Sequence, residues 1–365
     1  MVFYDSLLPR KWQNLVKLGV ASDRHQHLDC ERDLMSKSIL LIGGAGYIGP
    51  VIAEHLLSKD YEVTILDKLI YENGFSTKHL DHNSGFNFIL GDMGSGADLA
   101  KAIQGKDNVV ILAGLVGDPI TKKYPEKSKN INNDALQFCI EFLSKQSLSR
   151  TIFVSTCSNY GLISGGAIAD ENYPLKPLSL YAESKVEAEE FILSMNHLSN
   201  FSPTILRFAT AFGLAPRMRF DLTINEFTRD LALGKVLNVF DPDTWRPYCH
   251  VRDFAKIIEL VLEAPESAVR NQTFNAGSEI NNFTKRQVIE IISKHIPKSS
   301  ISYQELSADP RNYRVNFDKL QTVLGFRPGI TVEMGVLEII QAIADGNYGP
   351  TESVMKYGNY ELGSK

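Results

Sequence analysis

IGGAGYIGP, residues 42–50, closes one apolar run and opens an amphipathic one. Its glycines stand at 43, 46 and 49. In a strand–turn–helix unit each has a separate job. Gly43 allows the tight turn, Gly46 lets backbone approach a pyrophosphate, and Gly49 lets helix pack close to strand. Main-chain N–H groups at the helix start then meet the anion. Pro50 is tolerated because a first-turn residue has no intrahelical N–H bond to lose. Tyr47 and Ile48, in the same turn, are expected against the ligand. A glycine triplet alone also serves purely structural turns, but here strand, spacing and helix agree.

Working outward, YEVTILD (61–67) ends in Asp67, 24 positions after Gly43. That offset suits an acid accepting from both adenosine ribose hydroxyls, and its charge would repel a 2′-phosphate, favouring NAD over NADP. Asp92 in FNFILGD (86–92), followed by Met93, is placed to reach the adenine. NVVILAG (108–114) brings Leu112, Ala113 and Gly114 to the same edge. With SILLIGG (38–44), RTIFVST (150–156) and SPTILRF (202–208), these are continuous apolar runs, as parallel strands covered on both faces require. Helix-like stretches near 47–58, 96–104, 126–145 and 181–198 separate them. The alternation predicts an α/β doubly wound parallel sheet over residues 36–208.

After about residue 209 the rhythm breaks. Helical patterns at 218–235, 250–265 and 284–297 predict a smaller mixed α/β substrate-binding domain over 209–346, with part of 236–265 returning to the first. Residues 1–35 read as an N-terminal extension, and 347–365 as a loosely packed tail.

Composition bounds the function. The 365 residues carry a formal net charge of −5 and no Lys/Arg block, which argues against nucleic acid as partner. No run of eighteen apolar residues appears, so no membrane span is expected. Cys30, Cys139, Cys157 and Cys249 are widely spaced, which fits a reducing, cytoplasmic compartment and no disulfide framework. His25 and His27 alternate with Asp23 and Asp29 in a polar segment, more simply a solvated stretch than a metal site. No metal is expected.

YAESK places Tyr181 and Lys185 four apart, hence on one helix face. A phenol near pKa 10 is a poor base at neutral pH, and a nearby ammonium favours the phenolate. Taken alone, the pair reads equally well as a surface i,i+4 contact. With the glycine triplet, Asp67, Asp92, LAG at 112–114, Asn132 and STCSNYG at 155–161, however, the order and spacing resemble the extended short-chain dehydrogenases/reductases, in their nucleotide-sugar epimerase/dehydratase branch. The resemblance covers residues 38–330. It implies a Rossmann-type fold, NAD as cofactor and a nucleotide-diphosphate sugar as substrate. Tyr181 would then be the acid/base, Lys185 would hold the nicotinamide ribose and lower the tyrosine pKa, Thr156 would hydrogen-bond the reacting oxygen, and Asn132 would support the site. Val116, Cys157 and Ser158 fall on the substrate side. Arg246 in WRPYCHVRDFA matches the branch's diphosphate arginine, with Arg311 next and Arg217, Arg219 and Arg314 as further candidates. Thr210 in RFAT stands where epimerases commonly carry asparagine.

Oxidation at sugar C4 is the step the branch shares. Its 4,6-dehydratases typically carry Asp-Glu after the threonine; here Cys157-Ser158 stands there, which disfavours dehydration. Epimerisation at C4 needs no further side chain and is the expected reaction. A C4 dehydrogenase releasing the keto sugar is the alternative, since LAGLVGDP (112–119) and PRMRFDL (216–222) resemble segments of nucleotide-heptose C4 dehydrogenases. A catalytically silent NAD-binding protein would be expected to lack the Tyr–Lys pair. The resemblance implies a homodimer, formed through the helical stretches at 126–145 and 181–198.

Overall fold

A computed structural model describes residues 37–163, 165–304, 311–348 and 357–363. The expected extension over 1–35, with Cys30 and the His25/His27 segment, lies outside the described residues. Seven parallel strands form the main sheet: β1 (Ser38–Ile42), β2 (Glu62–Asp67), β3 (Phe86–Leu90), β4 (Asn108–Ile111), β5 (Arg150–Thr156), β6 (Pro203–Phe208) and β7 (Gln272–Ala276). Their spatial order is β7-β6-β5-β4-β1-β2-β3. The order reverses between β1 and β4, which opens a crevice at the carboxyl ends of those strands.

The apolar runs are continuous because alternate residues feed two cores. On β1, Ile39 and Leu41 enter one cluster, while Leu40 and Ile42 enter the other. Helix α1 (Gly49–Leu57) lies on the first face, α2 (Leu136–Ser144) and α3 (Leu180–Ser194) on the second. The six strands legible in the sequence all form. The seventh, β7, lies in the chain's second half, because only the tertiary fold returns QTFNA to pair with β6.

Helices α4 (Thr223–Ala232), α5 (Val251–Glu263), α6 (Lys285–His295) and α7 (Val332–Ala344) follow. Helix α5 packs back onto α1, within the stretch expected to return, whereas strand Val236–Phe240 pairs with Ser300–Gln304. Phe212, Ile224, Phe227, Leu231, Val288 and Val336 build a separate small core there. The expectation of a loose tail is corrected over Tyr357–Gly363. Tyr357 and Asn359 are buried, and the Tyr357 ring meets Phe75, Phe220 and Tyr348 edge-on. Among the described residues, no helix is long and apolar enough to cross a membrane.

Candidate active site

A cavity of about 950 Å³ opens at the sheet's crevice. The glycine turn forms its floor. Gly43 has φ +78°, and a Cβ there would sit 2.4 Å from Ala113 Cα. A Cβ on Gly49 would lie 2.2 Å from the Gly44 carbonyl oxygen. Gly46 is different: its φ is ordinary, and the nearest atom to an added Cβ is Gly43 O at 3.7 Å. The protein itself therefore does not require glycine at 46. What a side chain there would fill is cavity, the room a pyrophosphate would need to approach the backbone.

Asp67 sits at the end of β2 with both oxygens oriented, Oδ2 accepting from Ala45 N at 2.9 Å and Oδ1 from Leu69 N at 2.8 Å. Burial raises its pKa against those bonds and the charge of Arg217. Asp92 also lines the cavity, though Lys68 Nζ holds its Oδ2 at 2.7 Å and Gly94 N its Oδ1. Tyr47, Ile48, Met93, Leu112, Ala113, Gly114 and Val116 complete this wall. Two oriented carboxylate oxygens beside a glycine turn and an open backbone approach fit NAD.

Thr156 ends β5 and lines the cavity, its Oγ1 accepting from Ser158 N at 3.1 Å. Tyr181 faces the same space from the first turn of α3, whose N-cap Ser179 accepts from Ala182 N. Burial pushes the Tyr181 pKa well above its ordinary value. The strongest opposing charge is Arg219, followed by the Thr156 hydrogen bond, while Asp118 and Tyr313 act with burial. Lys185, expected to be the group acting on the phenol, is instead engaged below it. Its Nζ donates to the Val154 carbonyl at 2.9 Å and lies 4.6 Å from the Phe153 ring centre. Burial brings its pKa down to about 8.

Asn132 lies in a π-helical turn, Asn130–Ala135, and does not face the cavity. Its Oδ1 accepts from Leu115 N at 2.7 Å, and its Nδ2 donates to Leu115 O at 3.0 Å. It is a positioning residue that fixes the loop after β4. Cys157 departs from the substrate-side expectation: it is buried in the core, its Sγ 3.1 Å from the Arg207 carbonyl, and burial pushes its pKa up. Ser158 does line the cavity and lies 3.2 Å from the Tyr313 hydroxyl.

The arginines divide. Arg246 and Arg311 line the cavity together with Tyr313, whose ring is 5.1 Å from the Arg246 guanidinium carbon. Arg311 Nη1 pairs with Asp118 Oδ2 at 3.0 Å. Arg219 is buried with Asp221 held across its fork, Nε to Oδ1 at 3.0 Å. Arg217 lies against the Tyr71 ring, near Asp67, on which its charge acts. Arg314 stacks on Trp245 and donates to Gly166 O, outside the cavity. Sequence reasoning missed Asp118, Asp221, Glu226, Tyr313, Asn359 and Tyr360, all on the cavity wall. Only their place in the fold reveals them, because no local spacing marks them.

A seven-stranded crevice with a glycine turn, a carboxylate ending the second strand, and Tyr181 and Lys185 four apart on one helix are the marks of an NAD-dependent extended short-chain dehydrogenase/reductase. Residues 39–277 match the model of the NAD dependent epimerase/dehydratase family, and the chain belongs to that family. An uncharacterized UDP-glucose epimerase of Bacillus subtilis is 28% identical over 82% of this chain and 95% of its own. A dTDP-glucose 4,6-dehydratase of Streptomyces niveus is 25% identical, covering 84% of this chain and 93% of that one. Among solved structures, the UDP-glucuronic acid 4-epimerase of Bacillus cereus, in complex with UDP-glucuronic acid and NAD, superposes with a TM-score of 0.76. It is 24% identical, covering 84% of this chain and 99% of that one. The protein is thus an enzyme of the NAD-dependent nucleotide-sugar epimerase/dehydratase type.

Proposed function

We propose that the protein is a nucleotide-sugar 4-epimerase. The observation that carries this reading is the position just beyond Thr156, where Cys157 and Ser158 stand in place of the Asp-Glu pair of the branch's dehydratases. Cys157 is turned into the core, and Ser158 is engaged with Tyr313. Asp118 and Asp221 are each paired with an arginine.

Bound NAD supplies a hydride acceptor for oxidation at C4 and a donor for the return. The chain's own residues handle the proton and the pose. Tyr181 takes the C4 hydroxyl proton and later returns it, with Thr156 hydrogen-bonded to the same oxygen. Arg219 opposes burial at the phenol and favours its ionised form. Gly46 and Asp67 would hold pyrophosphate and ribose, and Lys185, from α3 with its Nζ at the Val154 carbonyl of β5, would hold the nicotinamide ribose. Arg246 and Arg311 take the sugar nucleotide's diphosphate, for which planar guanidinium forks are suited. Hydride return to the opposite face needs only rotation of the keto sugar between these anchors.

The second reading is a C4 dehydrogenase. It is favoured by the meeting of residues 112–119 and 216–222 at one wall, where Arg219 Nη2 lies 3.5 Å from the Cβ position of Gly117. Incubation with UDP-, GDP-, dTDP- and CDP-sugars decides between them. An epimerase converts one sugar to its C4 epimer with no net reduced cofactor. Accumulation of a 4-keto sugar with stoichiometric NADH would overturn the epimerase, and a 4-keto-6-deoxy product would establish the dehydratase.

A further inference from the structure

Arg217 is 1% exposed, yet both of its hydrogen-bond acceptors are neutral. Nη2 donates to the Gly358 carbonyl at 3.1 Å and to Asn359 Oδ1 at 3.0 Å. Its guanidinium carbon lies 4.7 Å from the Tyr71 ring centre. Among the described residues, Arg217 Nε has no hydrogen-bond partner, nor has the Tyr71 hydroxyl, and both atoms are buried. Both side chains line the cavity. A buried donor left unmade carries its full desolvation penalty, greater when charged, so two of them around one cation whose hydrogen-bond acceptors are neutral call for an anion. Burial, with the neighbouring Arg219 charge, brings the Arg217 pKa down to about 10, against the opposing influence of Tyr71, Asp221 and Asp67.

The position of this pair selects the anion. Tyr71 belongs to the loop leaving β2, just past Asp67, and the Arg217 charge acts on that carboxylate. The C-terminal stretch fixes the arrangement from above: Gly363 N donates to Ile70 O at 2.8 Å, Asn359 Nδ2 to Val116 O at 3.0 Å, and Phe220 N to Tyr357 O at 2.8 Å. Tyr124 donates to Glu361 Oε2 at 2.7 Å. The strap therefore ties the loops after β2 and β4 to the segment carrying Arg217. Arg246, Arg311 and Tyr313 form a different group on the cavity wall.

We propose that Arg217 and Tyr71, held by the strap Tyr357–Gly363, form a phosphate clamp on the dinucleotide, supplementing the glycine turn from the far end of the chain. The shared chemistry is a phosphate oxyanion, which the cofactor or the sugar nucleotide could bring, so NAD and UDP are titrated separately by calorimetry into cofactor-free enzyme. Arg217→Met is expected to weaken NAD roughly tenfold or more, the worth of a lost charge-assisted hydrogen bond, and to leave UDP within about twofold. Tyr71→Phe is expected to weaken NAD by a few-fold, while the melting temperature of the cofactor-free protein stays level or rises, because an orphaned hydroxyl has been removed. Weakened UDP with unchanged NAD would overturn the proposal in favour of the sugar nucleotide. Unchanged affinity for both would make Arg217 a structural cation. Should Arg217→Met fail to fold, Tyr71→Phe decides alone, and unchanged NAD affinity there sinks the clamp.

Discussion

At the scale of single residues, the roles proposed for Tyr181 and Asp67 each make a separable prediction. Tyr181→Phe removes the proposed proton acceptor while leaving the glycine turn, Asp67 and Lys185 in place. Turnover is expected to fall by about 10²–10⁴-fold with NAD affinity nearly unchanged, read from single-turnover kinetics beside cofactor titration. Thr156→Ala is expected to be milder, about 2–4 kcal/mol in the transition state, because water partly replaces the hydroxyl. Asp67→Ala is expected to weaken NAD, and Asp67→Arg to shift preference toward NADP; unchanged preference in both would remove Asp67 as the ribose ligand. Glu226 makes a prediction of a different kind. Burial raises its pKa to about 7 from 4.5, so the folded state binds more protons than the unfolded between those values. Stability should therefore fall as pH rises from 4.5 through 7. Glu226→Gln is expected to flatten that slope in urea melts taken across the window.

At the scale of elements, the turn between β1 and α1 contains two kinds of glycine that look alike in sequence. Gly43 is required by the fold, through its positive φ and its closeness to Ala113. Gly46 has no such need within the protein, and we propose that the ligand imposes it. Gly43→Ala should therefore lower the melting temperature markedly. Gly46→Ala should leave it near wild type while weakening NAD by an order of magnitude or more; equal stability losses in both would refute the distinction. The π-helical turn at Asn130–Ala135 is a similar local device, placing Asn132 to clamp Leu115 by both amide groups. Such turns interrupt α-helices at the expense of regular hydrogen bonding and are frequent near functional sites.

At the scale of the molecule, the helices α2 and α3 bear on assembly. Phe138 is 41% exposed and Leu180 46%, although both lie on helices that otherwise pack into the second core. We propose a homodimer through these helices, the oligomer that family resemblance implies. Light scattering at micromolar concentration is expected to give twice the chain mass, and Phe138→Asp to give the monomer. A monomeric wild type would leave these side chains as ordinary surface residues.

The sequence by itself determined the crevice and the placing of Tyr181 and Lys185 on one helix. Short continuous apolar runs bounded by turns fit strands covered on both faces, and the spacings Gly43–Gly46–Gly49, Gly43 to Asp67 and Tyr181 to Lys185 are local, set by one turn, one βαβ unit and one helix face. Six strands and most of the cofactor wall were legible for that reason. What closes the cavity was not, because it depends on residues far apart in the chain. β7 joins the sheet only once β6 is there to pair with it. Cys157 and Ser158 are neighbours whose side chains part into core and cavity, which the geometry after β5 decides. Arg217 read as one of several diphosphate candidates until the fold set it against Tyr71, with Gly358 and Asn359, some 140 residues on, as its acceptors. Periodicity and motif spacing record contacts along one element; a charge's counterpart across the chain is recorded only in the folded structure.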